Sequence, residues 1–191
     1  MELERPLIET ERLFVRLATQ DDVPAILNFY TENKNFLAPY SPLWADNFFT
    51  KEYWHYRVDS DYWEFINDIS LRLFLFSKNN STRIIGFINF GNFIRRAAQY
   101  CNVGYSMAEV EQGNGYMTEA LQAAIDYVFQ VLNMHRIMAN YMPHNQRSGN
   151  VLRKLGFVVE GYARDYLLIN GKWQDHILTS LTNSNWLMAN G

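Results

Sequence analysis

The chain has 191 residues, 48% hydrophobic, 16% aromatic and 19% charged, with 17 basic against 20 acidic side chains and a net charge of −3. That mix excludes a disordered segment, which needs low hydrophobicity and high net charge, and a general nucleic-acid binder, whose phosphate contacts need a basic excess. A single cysteine, Cys101, excludes an internal disulfide, the four histidines lack metal-ligand spacing, and no apolar run reaches the roughly 18 residues of a membrane span. With no signal peptide visible at Met1–Arg5, the expectation is a cytoplasmic, metal-free protein without membrane contact. Its length predicts one domain over 1–191, with a core of about 10–181.

In chain order, Glu11–Leu17 alternates, with Leu13, Val15 and Leu17 on one face and Arg12, Phe14 and Arg16 on the other, the period of a half-buried strand. Thr19–Glu32 reads as a helix: Thr19 and Asp22 form a capping pair, and Val23, Ile26, Leu27 and Tyr30 recur at helical spacing. Lys34–Thr50, with two prolines and five aromatics, predicts an ordered but irregular loop, and Lys51–Asn67 a second helix. Strands follow at Leu71–Ser77, Ile84–Phe93 and Gln99–Met107, separated by the turn-rich Asn79–Thr82 and the basic Arg95-Arg96. From Gly115 onward, Met117, Ala120, Leu121, Ala124, Ile125, Val128, Phe129 and Leu132 form one apolar stripe, the clearest helix in the chain. Arg136–Tyr141 is a short strand, and Arg147–Leu155 a short helix stopped by Gly156. The strands Phe157–Ile169 and Lys172–Leu181 are joined by Asn170-Gly171, a strong two-residue hairpin signal. Hairpins at both ends flank one β-α-β crossover, which predicts an α+β domain.

Gln112-Gly113-Asn114-Gly115 sits between a strand and the start of the long helix. Two glycines permit a tight turn that aims several backbone amides at one spot, and a helix start carries roughly half a positive charge. Together they suit a phosphate or pyrophosphate. The Lys of a P-loop is absent, and Thr118 stands where a dinucleotide fingerprint needs a third small residue. Taken alone, such a turn is more often a plain strand-to-helix connection.

Further along, His135–Tyr141 is followed by Pro143, Asn145, Ser148 and Leu155-Gly156-Phe157. With the glycine turn, this pattern resembles the GNAT superfamily of acetyl-CoA-dependent N-acetyltransferases, over about Thr10 to Leu181. Thr10–Arg16 resembles the opening strand of its ribosomal-protein-modifying branch. Met142–Asn145, Arg147-Ser148, Gly161–Ala163, Asp165–Ile169, Trp173 and Asp175-His176 resemble the alanine-specific members of that branch. The resemblance implies a mixed, mostly antiparallel sheet with a splayed central parallel pair and helices on both faces. It implies that Gln99–Met107 and Arg136–Tyr141 are that pair, with the pantetheine arm of acetyl-CoA in the gap. Gly104, Ser106 and Met107 on the first strand, Asn140 on the second, and Asn145 beyond it would then touch the cofactor. Its pyrophosphate would rest on the turn formed by Gln112, Gly113, Asn114, Gly115, Tyr116, Met117 and Thr118. One departure is plain: Val110 stands where the family's motif begins with Gln or Arg, which removes one side-chain contact.

The implied acceptor is the N-terminal alanine of a ribosomal protein, the fifth of the small subunit. An α-amine has a pKa of about 8 against about 10.4 for lysine, so a modest base or a water relay suffices. Ser148 matches the family's proton donor to the leaving thiolate, with Asn145 holding cofactor or water; a helix cap is the competing role for Ser148. For the base, Leu167 stands where a serine-specific relative has glutamate. Asp165, two residues earlier on the same strand face, is a candidate catalytic residue, and Asp175 and His176 lie across the hairpin. Cys101 reads as a buried small hydrophobe and His135 as a packing residue. The aromatic segment Phe36–Trp63 is expected to wall the acceptor site. Two other readings stay open: an enzyme of this fold acting on a small amine such as an antibiotic or polyamine, and a CoA-binding module without turnover. Either a monomer or a homodimer is compatible with the sequence.

Overall fold

The computed structural model describes residues 5–186. In chain order the strands are β1 (Leu7–Glu9), β2 (Leu13–Arg16), β3 (Leu71–Ser77), β4 (Asn80–Ile94), β5 (Tyr100–Met107), β6 (Arg136–Tyr141), β7 (Val158–Ile169) and β8 (Lys172–Thr182). The helices are α1 (Val23–Glu32), α2 (Lys34–Leu37), α3 (Lys51–Ile66), α4 (Tyr116–Gln130) and α5 (Gln146–Lys154). One sheet takes all the strands in the order β1-β2-β3-β4-β5-β6-β8-β7. Every pairing is antiparallel except β5 with β6.

Strand alternation sorts the side chains onto the two faces. In β3, Leu71, Leu73 and Leu75 pack in one cluster with Ala120, Leu121, Ala124, Ile125 and Val128 of α4. Phe74 and Phe76 pack in another with Ile26 and Phe29 of α1 and Trp54 and Val58 of α3. Helices therefore cover both faces, as the family resemblance implies. Each fully buried Leu, Ile or Phe contributes about 1.5–3 kcal/mol of transfer free energy.

The parallel pair splays. β5 and β6 are in register from Tyr100↔Arg136 to Val103↔Ala139 and no further. Beyond that point Gly104–Met107 bond only to β4, while Asn140 and Tyr141 turn away on β8. One edge of β5 is thus left with backbone groups unpaired, a state that buried peptide groups do not tolerate without a partner.

Several boundaries differ from expectation. The predicted strand Glu11–Leu17 begins only at Leu13, because Thr10–Arg12 form the turn of an unforeseen β1–β2 hairpin, in which Thr10 N donates to Leu13 O at 3.0 Å. The capping pair holds, with Thr19 N donating to Asp22 Oδ2 at 2.7 Å, but a 3-10 turn (Gln20–Asp22) precedes α1. The loop expected at Lys34–Thr50 contains α2 and a 3-10 turn, Ala38–Tyr40. β4 starts inside the predicted turn, and register shifts around Phe76 absorb the extra length. Among the described residues no helix is long and apolar enough to cross a membrane.

Candidate active site

The glycine turn is a consequence of backbone angles. Gly113 and Gly115 have φ of +81° and +78°, a region costly for residues with a Cβ. Gly115 caps α4, whose first internal bond runs from Glu119 N to Gly115 O at 3.1 Å. The amides of Tyr116, Met117 and Thr118 precede that bond and have no intrahelical acceptor. These three residues line the same cleft as Tyr105, Ser106 and Met107 of the splayed part of β5.

Beyond the split lies α5, capped by Asn145, whose Oδ1 accepts from Ser148 N at 3.2 Å. Asn145 therefore holds the cap position, and the Ser148 hydroxyl is free for another contact: its Oγ lies 2.9 Å from Tyr105 Oη, which also donates to Ser148 O at 3.2 Å. Tyr105 stands on the splayed part of β5, and burial pushes its phenol up to about 12. Sequence reading missed Tyr105, since an aromatic alternating in a strand reads as core. No sequence signal sets it apart; what does is that it falls beyond the last β5–β6 pair. Gly149, next to Ser148, lets α5 lie against β6, because a Cβ there would sit 2.8 Å from the Tyr141 ring.

These elements enclose a cleft of about 380 Å³. Ser106, Met107, Gln112, Gly113, Gly115, Tyr116, Met117, Thr118, Asn145 and Ser148 line it. Gly104, Asn114, Asn140 and Asp165 are outside that lining. Arg147 and Lys154 add positive charge; the single lining carboxylate among the described residues, Glu111, is held by Arg83 at 2.7 Å. Phe36, Leu37 and Tyr40 form one wall of the cleft, whereas Phe48 and Trp54 are in the core, so of the segment Phe36–Trp63 only its first few residues reach the cleft. The wall is tied to the β7–β8 turn, where Asn170 N donates to Ser41 O at 2.8 Å.

Asp165 sits where β7 leaves register with β8, between Ala163 and Leu167, at a φ of +46°. The two-residue alternation that placed it beside Leu167 does not run through this bulge. Its amide donates to Asp175 Oδ1 at 2.9 Å, and Asp175 also accepts from Tyr162 Oη. Those two bonds hold the Asp175 carboxyl below its usual range. Buried His176 has Nδ1 at 3.0 Å from Gln174 O. His135 packs edge-on to Trp186 at 5.5 Å, and burial pushes the Cys101 thiol up to about 12, as expected of an inert core residue.

The acetyltransferase (GNAT) domain family matches residues 12–158. This chain belongs to the GNAT family. It is 44% identical over 94% of its length to the [ribosomal protein uS5]-alanine N-acetyltransferase of Escherichia coli K12, covering 92% of that enzyme. Among solved GNAT structures, the ribosomal-protein-S5-alanine acetyltransferase of Vibrio fischeri superposes with a TM-score of 0.91 at 39% identity, over 95% of this chain and 99% of that one. RimJ of Mycobacterium smegmatis, solved with CoA-disulfide, shares the fold at a TM-score of 0.85 and 24% identity, over 97% of this chain and 89% of that one.

Proposed function

We propose that this GNAT enzyme transfers the acetyl group of acetyl-CoA to the N-terminal alanine of ribosomal protein uS5. The observation that carries the acceptor is the 44% identity, spanning 94% of the chain, to an enzyme of that activity. The cleft fits the co-substrate: free amides and a helix start for the pyrophosphate, and an unpaired strand edge for the pantetheine amides. Acetyl-CoA supplies an activated acyl group on a thiol leaving group.

The residues then have separable roles. The amides of Gly113 to Thr118 bind the phosphates, and Gly104–Met107 offer strand pairing to the pantetheine arm. Ser148 Oγ passes a proton to the leaving sulfur and is restored by the proton the acceptor amine sheds. Tyr105, protonated at neutral pH, fixes the Ser148 hydroxyl. No unpaired carboxylate lines the cleft among the described residues. Such a site favours the α-amine, with its pKa of about 8, over lysine. A polyamine, carrying several positive charges, meets no acidic partner there. Asp165 and Asp175 stay candidates for proton removal only through intervening water.

The test uses acetyl-CoA, a peptide beginning with alanine, and the same peptide blocked at its N-terminus with one internal lysine. Mass spectrometry at pH 7 is expected to show acetylation of the first and not the second. Efficient lysine acetylation overturns the N-terminal assignment, turnover confined to small amines supports the second reading, and CoA binding without turnover the third.

A further inference from the structure

The turn of the unforeseen N-terminal hairpin, Thr10–Arg12, docks on the start of α4. Glu119, in the first turn of that helix, accepts from Thr10 Oγ1 at 2.6 Å, from Arg12 N at 2.9 Å and from Arg12 Nε at 2.6 Å. The other end of the guanidinium reaches the glycine turn: Arg12 Nη1 donates to Asn114 O at 2.9 Å, between the two left-handed glycines. Its Nη2 lies 3.5 Å from where a Cβ on Gly115 would be, and its plane covers the Tyr116 ring at 4.4 Å. One side chain from about a hundred residues upstream thus holds the carbonyl of this turn, borders its cap and covers the first helical residue.

Charge gives the contact a second consequence. Burial raises the pKa of Glu119, but the bonds from Thr10 and Arg12 outweigh it and keep the carboxyl below its usual range. Glu119 is therefore an anion within one turn of the amides that would receive a pyrophosphate, and like charge there opposes binding. Arg12 offsets it at 2.6 Å.

We propose that Arg12 is a positioning residue for the phosphate end of acetyl-CoA: it sets the Gly113–Gly115 turn in its binding conformation and neutralises Glu119 beside it. The proposal rests on the acetyl-CoA reading of the cleft. Arg12 is outside the cleft lining, so it acts through the turn.

The test measures Kd for CoA by calorimetry, and KM and kcat with acetyl-CoA, on the full chain. Arg12→Ala is expected to raise Kd and KM roughly tenfold, the effect of one charge-assisted hydrogen bond, with kcat within about twofold. Arg12→Lys keeps the charge but lacks the two-sided fork, and is expected to fall between the two. Arg12→Ala combined with Glu119→Gln is expected to bind CoA more tightly than Arg12→Ala alone, since the uncompensated carboxylate is gone. A Kd within about twofold of wild type for Arg12→Ala overturns the proposal. So does an equal fall in kcat at saturating acetyl-CoA, which would mark a general structural role. Thermal melts check folding, and Arg12→Lys carries the comparison if Arg12→Ala does not fold. Failure of the unmodified protein to bind CoA overturns the cofactor reading instead.

Discussion

On one face of the sheet, α4 lays Ala120, Leu121, Ala124 and Ile125 against aliphatic strand residues; on the other, Tyr30 stacks on Trp54 at 5.0 Å and meets Phe48 edge-on at 4.9 Å. The small residues of α4 let that helix lie close to the strands and bring its N-terminal amides to the split in the sheet. The aromatic face holds α1 and α3 by bulk and closes over buried charge: Asp61, 3% exposed, lies 2.6 Å from Arg57 and 3.5 Å from Arg72. The α4 face thus serves a site made of backbone groups, whereas Phe36, Leu37 and Tyr40, ahead of α3, line the cleft with side chains. Binding of the co-substrate is expected to depend on conformation at the glycine turn, and stability on volume in the aromatic cluster.

That separation is open to attack. Trp54→Ala is expected to cost about 3–5 kcal/mol in urea unfolding, since the indole is fully buried, while the folded fraction keeps its CoA affinity. A matching loss of affinity would join the two faces energetically. Ser148→Ala is expected to lower kcat by about 100-fold or more with Kd for CoA little changed. Retention of half the wild-type rate would reduce Ser148 to a packing residue. Gly113→Val and Gly115→Val are each expected to weaken CoA binding roughly tenfold and cost about 1–2 kcal/mol of stability through their positive φ. Unchanged affinity in both would remove the turn from the site.

The smallest effect belongs to the tie at the start of α1. Burial raises the Asp22 pKa, but bonds from Arg16 and Thr19 outweigh it and hold the carboxyl below 3.8. Because the folded-state pKa is depressed, the stabilisation is present at neutral pH and is lost as pH falls below that value. Asp22→Asn is therefore expected to cost about 1 kcal/mol at pH 7 and progressively less as the pH is lowered through the acid range, measured by denaturant unfolding across pH. A cost that does not change with pH would mean that the charge plays no part.

Where backbone conformation dictates the residue, the sequence was legible. Gly113 and Gly115, the Asn170-Gly171 turn and the Gly156 stop all lie at positive φ, and the α4 stripe has one period throughout. Side chains that act across elements were not legible. Tyr105 and Ser148 are 43 residues apart, and only the splay brings them within 2.9 Å. Asp165 defeated the alternation rule because it lies within a bulge, between Ala163 and Leu167, where β7 is out of register with β8 and alternation does not apply. β1, three residues long, is too short for any period to show, yet its turn delivers Arg12 to α4.

Gly149 bears on how this protein can vary. With only 2.8 Å between its missing Cβ and the Tyr141 ring, a side chain at 149 requires the ring at 141 to swing aside or shrink, or α5 to move off β6. Moving α5 carries Ser148 away from Tyr105. The two positions are thus coupled: a methyl group at 149 displaces the Tyr141 ring, so the substitution is expected to be milder in a chain that carries a smaller side chain at 141.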